Sequence, residues 1–454
     1  MEKQSGWHYD LTNIPFVLRI IRNRSLLFTI RAILLAGFIF SIVAGIFGSP
    51  VGSHNFAIIF VWIAWWTALK LFFIPIGGRS WCTICPIPMP GEWIQQGALV
   101  TNPESIRKRH RWWPRLKGTW LQTAGFFLIG LFGAVTLTQP AVTAWVFAGL
   151  ILIATLTSVF FEKRSFCRYL CPMGGYIGWY ALLAPLELRV RDRSICSTHR
   201  EKDCIHGNEN GCGCQWMVSP ISLKDNSRCG LCMDCIRTCT KSNVSLNIRP
   251  FGSDLARLPQ RMDDAILGSV LLANVAAFSA VFLGHWGELK QAAYTIGSAD
   301  WWLYAGALLI WTLLIVPGGL YMAALISRHL SGIKGSTRKL FISFSYTLIP
   351  LGFAAWLAFT ISFALAKITY IIPVLSDPFG FGWNLFGGAN FTWLPLFPSL
   401  VTPLVVIILL SGFTWSLSLA WNQNGYLKRK VRTFLPYSGF AATFTTMMLF
   451  LLVR

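Results

Sequence analysis

The feature that most limits this chain is its series of long apolar segments. A helix needs about 20 consecutive apolar residues to cross the hydrocarbon of a bilayer, and about nine stretches reach that length. They lie near 26–48, 55–76, 119–138, 141–161, 265–284, 302–326, 340–366, 397–420 and 433–453. In lipid every backbone polar group must be satisfied internally, so such a chain folds as a polytopic α-helical membrane protein. The 454 residues are 54% hydrophobic and only 13% charged, too poor in charge for a soluble domain with a large core.

The net charge of +21 raises the question of nucleic acid, but its distribution answers it. With a cytoplasmic N-terminus and nine alternating helices, only Lys290, Lys367 and Arg454 fall on the outer side. The other basic residues collect in inner segments, chiefly 105–118, 327–340, 426–432 and a cysteine-rich loop, as the positive-inside rule requires. Arg31 and Lys70 lie near the inner ends of their runs, where they are expected to snorkel. The basic runs are therefore topogenic and face membrane lipid, and no nucleic-acid partner is expected. The first 25 residues show no short apolar run leading to a small-residue cleavage site, so they do not read as a cleaved signal peptide. "NIPFVLRIIRNR" reads instead as an interfacial segment. The expected location is the inner (cytoplasmic) membrane, multi-pass.

All 12 cysteines lie between residues 82 and 239, in the two long inner loops. A reducing cytosol disfavours disulfides and favours metal or redox chemistry. The chain divides into an N-terminal membrane half (1–188), a polar insert carrying most of the cysteines (189–255) and a C-terminal membrane half without cysteine (262–454).

A repeat links the first half to this chemistry. "RSWCTICP" at 79–86 has a counterpart in "RSFCRYLCP" at 164–172, each just past the inner end of the second helix of a hairpin. A duplicated hairpin would bring Cys82, Cys85, Cys167 and Cys171 together, the four thiolates that a 4Fe-4S cluster or an all-cysteine zinc site requires. The plainer alternative is two unrelated pairs of buried thiols.

The insert contains "CGLCMDCIRTC", with Cys229, Cys232, Cys235 and Cys239. This is the C-x2-C-x2-C-x3-C spacing of bacterial ferredoxins, whose fourth cysteine ligates the other cluster. Thr240 stands where ferredoxins usually place proline. Structural zinc fits less well, since it usually takes two pairs separated by a longer loop. Upstream lie Cys196, Cys204, Cys212 and Cys214. Read as half of a two-cluster ferredoxin, Cys196, Cys204 and Cys212 join Cys239, while Cys214 joins Cys229, Cys232 and Cys235. An exchange of Cys212 and Cys214 stays open at this level. His199 and His206 read as solvated loop residues, and "LELRVR" and "VSLNIR" as strands closing a small ferredoxin-like α+β insert on the cytoplasmic side.

With these motifs the chain resembles the membrane polyferredoxins of the NapH and NosR type, over about 26–255. The resemblance implies electron transfer linked to the quinone pool, often toward a periplasmic reductase or a maturation step, in a shorter form without a flavin-attachment domain. Covalent flavin is therefore not expected. The first motif here is C-x2-CP rather than the C-x3-CP of the second.

Three adjacent 4Fe-4S clusters form a chain of one-electron carriers, with the set on Cys82, Cys85, Cys167 and Cys171 nearest the membrane and exchanging with quinone, quinol or a partner subunit. Arg168, Arg228, Arg237 and Lys241 adjoin ligands and should raise their potentials. No histidine falls inside a predicted run, so haem b is not expected. No catalytic residue stands out, and the chain reads as an electron-transfer subunit of a quinol-linked oxidoreductase system with redox partner proteins. Two other readings are a membrane metal reductase or maturation factor, and a non-redox scaffold holding structural zinc. Glu162 reads as a surface charge before a quinol-proton carrier, glycines 318, 319 and 352 as packing residues, and the aromatic segment 376–388 as an interfacial belt or docking loop.

Overall fold

The structure is a computed structural model and describes residues 7–96, 110–256, 261–332, 335–423 and 430–453. Lys3, Arg454 and parts of the basic runs 105–118, 327–340 and 426–432 lie outside the described residues. Among the described residues, eight helices are long and apolar enough to cross a membrane: Arg24–Phe47, Phe56–Gly77, Pro140–Phe160, Met262–Leu283, Ala299–Ser331, Ile349–Ser376, Pro398–Asn422 and Val431–Leu452. The chain is thus a polytopic helical membrane protein.

The ninth expected run, 119–138, forms a shorter helix, Trp120–Leu131, followed after Phe132 by a single turn, Gly133–Thr136. At that break a Cβ on Gly133 would come within 3.0 Å of the Phe278 ring. Close packing thus replaces the uninterrupted span that the apolar run suggested.

The chain divides into two compact units. One comprises residues 41–71, 118–146 and 255–454. Its helix Met262–Leu283 is buried along most of its length and rich in Ala, Ser and Gly. Where Pro398–Gln423 meets Ile349–Lys367, a Cβ on Gly412 would lie 2.3 Å from that of Ala354, so only glycine permits the approach. Lys70 departs from the expected snorkelling. It is fully buried, its Nζ has no hydrogen-bond partner, and it faces the rings of Trp66 (4.3 Å), Trp356 (4.8 Å) and Phe359 (5.4 Å).

The other unit comprises residues 1–40, 72–117 and 147–254 and contains every cysteine. Its sheet has the order β1 (Tyr9–Asp10), β3 (Val244–Ile248), β2 (Leu186–Val190). Strands β2 and β3 are antiparallel with Leu188 opposite Leu246, the pairing that their alternating pattern predicts. The N-terminal segment does more than lie at an interface. Tyr9–Asp10 adds the third strand, and the helix Pro15–Arg22 buries Ile21 against Leu188, Leu231, Ile236, Val244 and Leu246. Its opposite face leaves Phe16 and Ile20 exposed, so one amphipathic helix serves both the core and the surface.

Candidate metal centres

The two repeated motifs are built alike despite their unequal lengths. After Phe56–Gly77 the chain reverses at Gly78, whose φ of 54° and 3.2 Å approach to Ala181 and Ala184 favour glycine. A single α-helical turn, Ser80–Ile84, then carries Cys82 and ends as the N–H of Cys85 donates to the carbonyl of Trp81. In the second motif the segment Phe166–Leu170 is a π-turn, ended by the Cys171 N–H donating to the carbonyl of Phe166. Trp81 and Phe166 are equivalent positions of the repeat, so the extra residue is absorbed by widening an i→i−4 bond into an i→i−5 bond. Cys85 and Cys171 then leave their turns in extended conformations (ψ 125° and 115°), as a following proline demands.

The conserved geometry brings the four thiols together. Cys82 and Cys167 are buried, and Cys85 has Cys171 and Cys82 as charge neighbours, while Cys171 has Cys167 and Cys82. Burial, the Cys171 thiol and then the Cys82 thiol push Cys85 up to about 12. Cys167 and Cys171 also rise, again chiefly through burial. Thiols that burial keeps protonated, as at Cys85, Cys167 and Cys171, become thiolates together only when a cationic centre balances them. The donor set therefore fits a soft metal or an iron–sulfur cluster, held by Cys82, Cys85, Cys167 and Cys171.

Charge around this set is organised by residues that sequence reading passed over. Arg79 Nη2 donates to the carbonyl of Gly174 at 2.5 Å, and its Nη1 donates to the carbonyl of Ser227 in the insert. Arg164 donates to the carbonyl of Cys82 and pairs with Glu92, which also pairs with Arg31. Arg31 thus ends on a buried carboxylate rather than in open solvent. Glu92 is nearly fully buried, and although burial alone would raise its pKa, Arg164 and Arg31 hold it below the ordinary carboxylate value. Glu162 instead makes a half-buried pair with Arg168 at 3.7 Å. The repeated "RS" of each motif was the available signal for Arg79 and Arg164. Glu92 had none, because it lies in a short helix, Met89–Gln96, with no motif around it.

A second set forms in the insert. Cys214, Cys229, Cys232 and Cys235 line one cavity, and Cys235 has the other three as charge neighbours. Burial pushes Cys229 up to about 11. Leu231 and Met233 take left-handed conformations (φ 51° and 62°), which lets the chain curl between closely spaced cysteines. Trp216 packs over this curl. A Cβ on Gly230 would strike its indole at 1.8 Å, and Arg79 lies over its ring at 4.5 Å. Thr83 Oγ1 donates to the carbonyl of Gly230, tying the first motif to this set.

The third set is incomplete in thiols. Cys196, Cys204 and Cys239 line one cavity, and Cys204, raised to about 11 by burial and then by Cys239 and Cys196, confirms their proximity. Asn243 holds two of them, its N–H donating to Cys239 Sγ at 3.3 Å and its Nδ2 to Cys196 Sγ at 3.2 Å. Cys212, grouped with them from spacing, lines a different cavity with Arg24, Glu92 and Cys232, and its charge neighbours are Asp234, Arg24 and Lys163. The cause is local: Lys163 Nζ gathers the carbonyls of Ile205 (2.8 Å), Cys212 (2.9 Å) and Cys214 (3.2 Å), pinning this stretch beside the second motif. Of the cations expected to adjoin ligands, Arg237 spans Asp234 Oδ1 (2.6 Å) and the carbonyl of Ile21 (2.7 Å), and Lys241 lines the cavity of Cys196.

The 4Fe-4S binding domain family matches residues 58–112 and 143–191, the two hairpin ends that carry the repeated motifs. The chain is 27% identical over 136 residues to a methylamine utilization ferredoxin-type protein MauN of Paracoccus denitrificans, covering 28% of this chain and 48% of that relative. It is 25% identical over 137 residues to the MauN of Methylorubrum extorquens, covering 28% and 47%. An uncharacterized protein of Methanocaldococcus jannaschii is 25% identical over 260 residues, covering 54% and 93%. The chain thus spans about half the length of the MauN relatives. No solved structure matches. The repeated cysteine motifs, the matched domain and these ferredoxin-type relatives together support a membrane protein of the 4Fe-4S polyferredoxin type.

Proposed function

We propose that this protein relays electrons between the quinone pool, or a partner subunit, and further redox proteins through three 4Fe-4S clusters at the cytoplasmic face of the inner membrane. The observation that carries this reading is the convergence of Cys82, Cys85, Cys167 and Cys171 from two helix ends, next to the Cys214, Cys229, Cys232 and Cys235 set. Bound clusters would supply one-electron chemistry, and the chain supplies position, charge and exclusion of water. Arg164 and Arg79 hold the motif backbones together and balance thiolate charge. Thr83, Trp216 and Arg79 close the space between the first motif and the insert. A cavity of about 100 Å³ beside Glu92 is bounded by Leu27, Phe28, Arg31 and Trp93. Glu92, held ionised there between two guanidinium groups, supports a charge-balancing and anchoring role beside the Cys-Pro motifs rather than proton handling, which needs a group titrating nearer neutrality.

Anaerobic purification of the full chain tests the reading. About twelve iron with matching acid-labile sulfide corresponds to three cubanes. Stoichiometric zinc without iron would leave a structural scaffold instead. Quinone analogues should perturb the spectrum of the cluster on the Cys-Pro motifs. Indifference to them, with reoxidation by a bound metal ion, would favour a metal reductase or maturation factor.

A further inference from the structure

The three-thiol set of the insert has a fourth ligand-forming side chain on its wall. His199 lines the same cavity of about 270 Å³ as Cys196, Cys204 and Cys239, whereas Cys212 does not. The helix Arg193–Thr198 explains why. It carries Cys196 in its middle and ends with the N–H of His199 donating to the carbonyl of Ile195. Cys196 and His199 are thus three apart on one helical turn, the spacing that places two side chains on the same face. The imidazole is mostly buried, with Nε2 at 3.9 Å from both Asp203 Oδ2 and Glu201 Oε2. Ligating histidines almost always present their second ring N–H to a carboxylate or carbonyl, which fixes the tautomer and orients the ring. Asp203, at 3.9 Å and largely buried, is the carboxylate nearest to that role for His199.

We infer that His199 is the fourth ligand of the centre on Cys196, Cys204 and Cys239, binding through Nδ1 while Asp203 and Glu201 face Nε2. This rests on the reading of the insert as cluster-binding. The twelve cysteines then supply eleven ligands, and Cys212 is not one of them. Exchanging a thiolate for a neutral imidazole removes one negative charge from the ligand shell, which raises the reduction potential. The centre therefore differs electronically from the two all-cysteine sets.

The test uses the full chain purified anaerobically as wild type, His199→Ala, His199→Cys and Cys212→Ser. Iron and sulfide content, redox titration and pulsed electron paramagnetic resonance are measured on each. Wild type should show one cluster with the strong nitrogen-14 coupling of a bound imidazole. His199→Ala should lose that coupling, His199→Cys should keep full iron but lose the coupling and lower one midpoint potential, and Cys212→Ser should keep iron, coupling and potentials. Full iron in wild type without the coupling, or loss of this cluster in Cys212→Ser, would overturn the assignment and leave the electron-transfer reading standing. Zinc in place of iron would overturn both.

Discussion

Arg79 and Arg164, the opening residues of the two repeated motifs, each donate across to the other's end: Arg79 to the carbonyl of Gly174, two residues past the second motif, and Arg164 to that of Cys82 within the first. Each motif is therefore incomplete without its counterpart. Arg164→Ala would also strand Glu92 beside Arg31 alone, so it should destabilise more than Arg79→Ala. Breaking a buried pair by removing one partner costs about 3–5 kcal/mol. Both variants should deplete the same cluster signal, and Arg164→Lys should not restore it, because a single ammonium cannot span Glu92 and the Cys82 carbonyl with a planar fork. Thermal unfolding and iron content of the purified variants provide the comparison. Loss of two different signals would mean that the grip is not shared.

The thiol pairs themselves give a sharper comparison. Replacing Cys82 and Cys85 together by Ser should remove the same single cluster as replacing Cys167 and Cys171, since each double variant leaves half of one ligand set. Deleting Leu170 probes the π-turn. It shortens the second motif to C-x2-CP and forces Cys171 back to an α-type bond. If the wide turn is what aligns the two ends, that variant should lose the cluster although all 12 cysteines remain.

Much of this site was legible because its signals are short and local. The repeated Arg-Ser-aromatic-Cys tetrapeptide announced a duplication, and the alternation of Leu186–Val190 and Val244–Ile248 announced two paired strands. Cys212 was not legible, because its position is decided by Lys163, a residue distant in sequence that collects three carbonyls. Arg31 and Lys70 show the same limit. Sequence places a cation near a helix end, but only packing reveals that Arg31 meets Glu92 and that Lys70 is enclosed by rings. The break after Leu131 likewise depends on Phe278, far along the chain.

Glu92 should make stability depend on acid. Its folded pKa lies below the ordinary value of 4.5, since Arg164 and Arg31 outweigh burial. The contribution of the pair is therefore fully present above pH 4.5 and is lost as pH falls through the lower folded value. Glu92→Gln removes the charge at every pH. The stability gap between wild type and this variant should be largest near neutrality and should close in acid, as read by unfolding at a series of pH values. A gap independent of pH would mean that Glu92 acts through packing alone.

Lys70 gives a prediction with the opposite sign. Its ammonium has no hydrogen-bond acceptor among the described residues, and three aromatic faces at 4.3–5.4 Å are its compensation. A desolvated cation–π contact contributes about 2 kcal/mol, whereas burying an ion costs several. Methionine matches the length and flexibility of lysine and makes favourable contacts with aromatic rings, so Lys70→Met should raise the stability in detergent by an amount on the order of 1–4 kcal/mol, read as a higher unfolding temperature. Lys70→Ala removes the same charge but leaves a cavity that costs about 2–5 kcal/mol, and should offset the gain or reverse it. The two variants separate charge from volume. Should Lys70→Met destabilise as much as Lys70→Ala while iron content stays full, the ammonium itself must be contributing to the packed state, and the three rings would be a binding site for it rather than the walls that happen to enclose it.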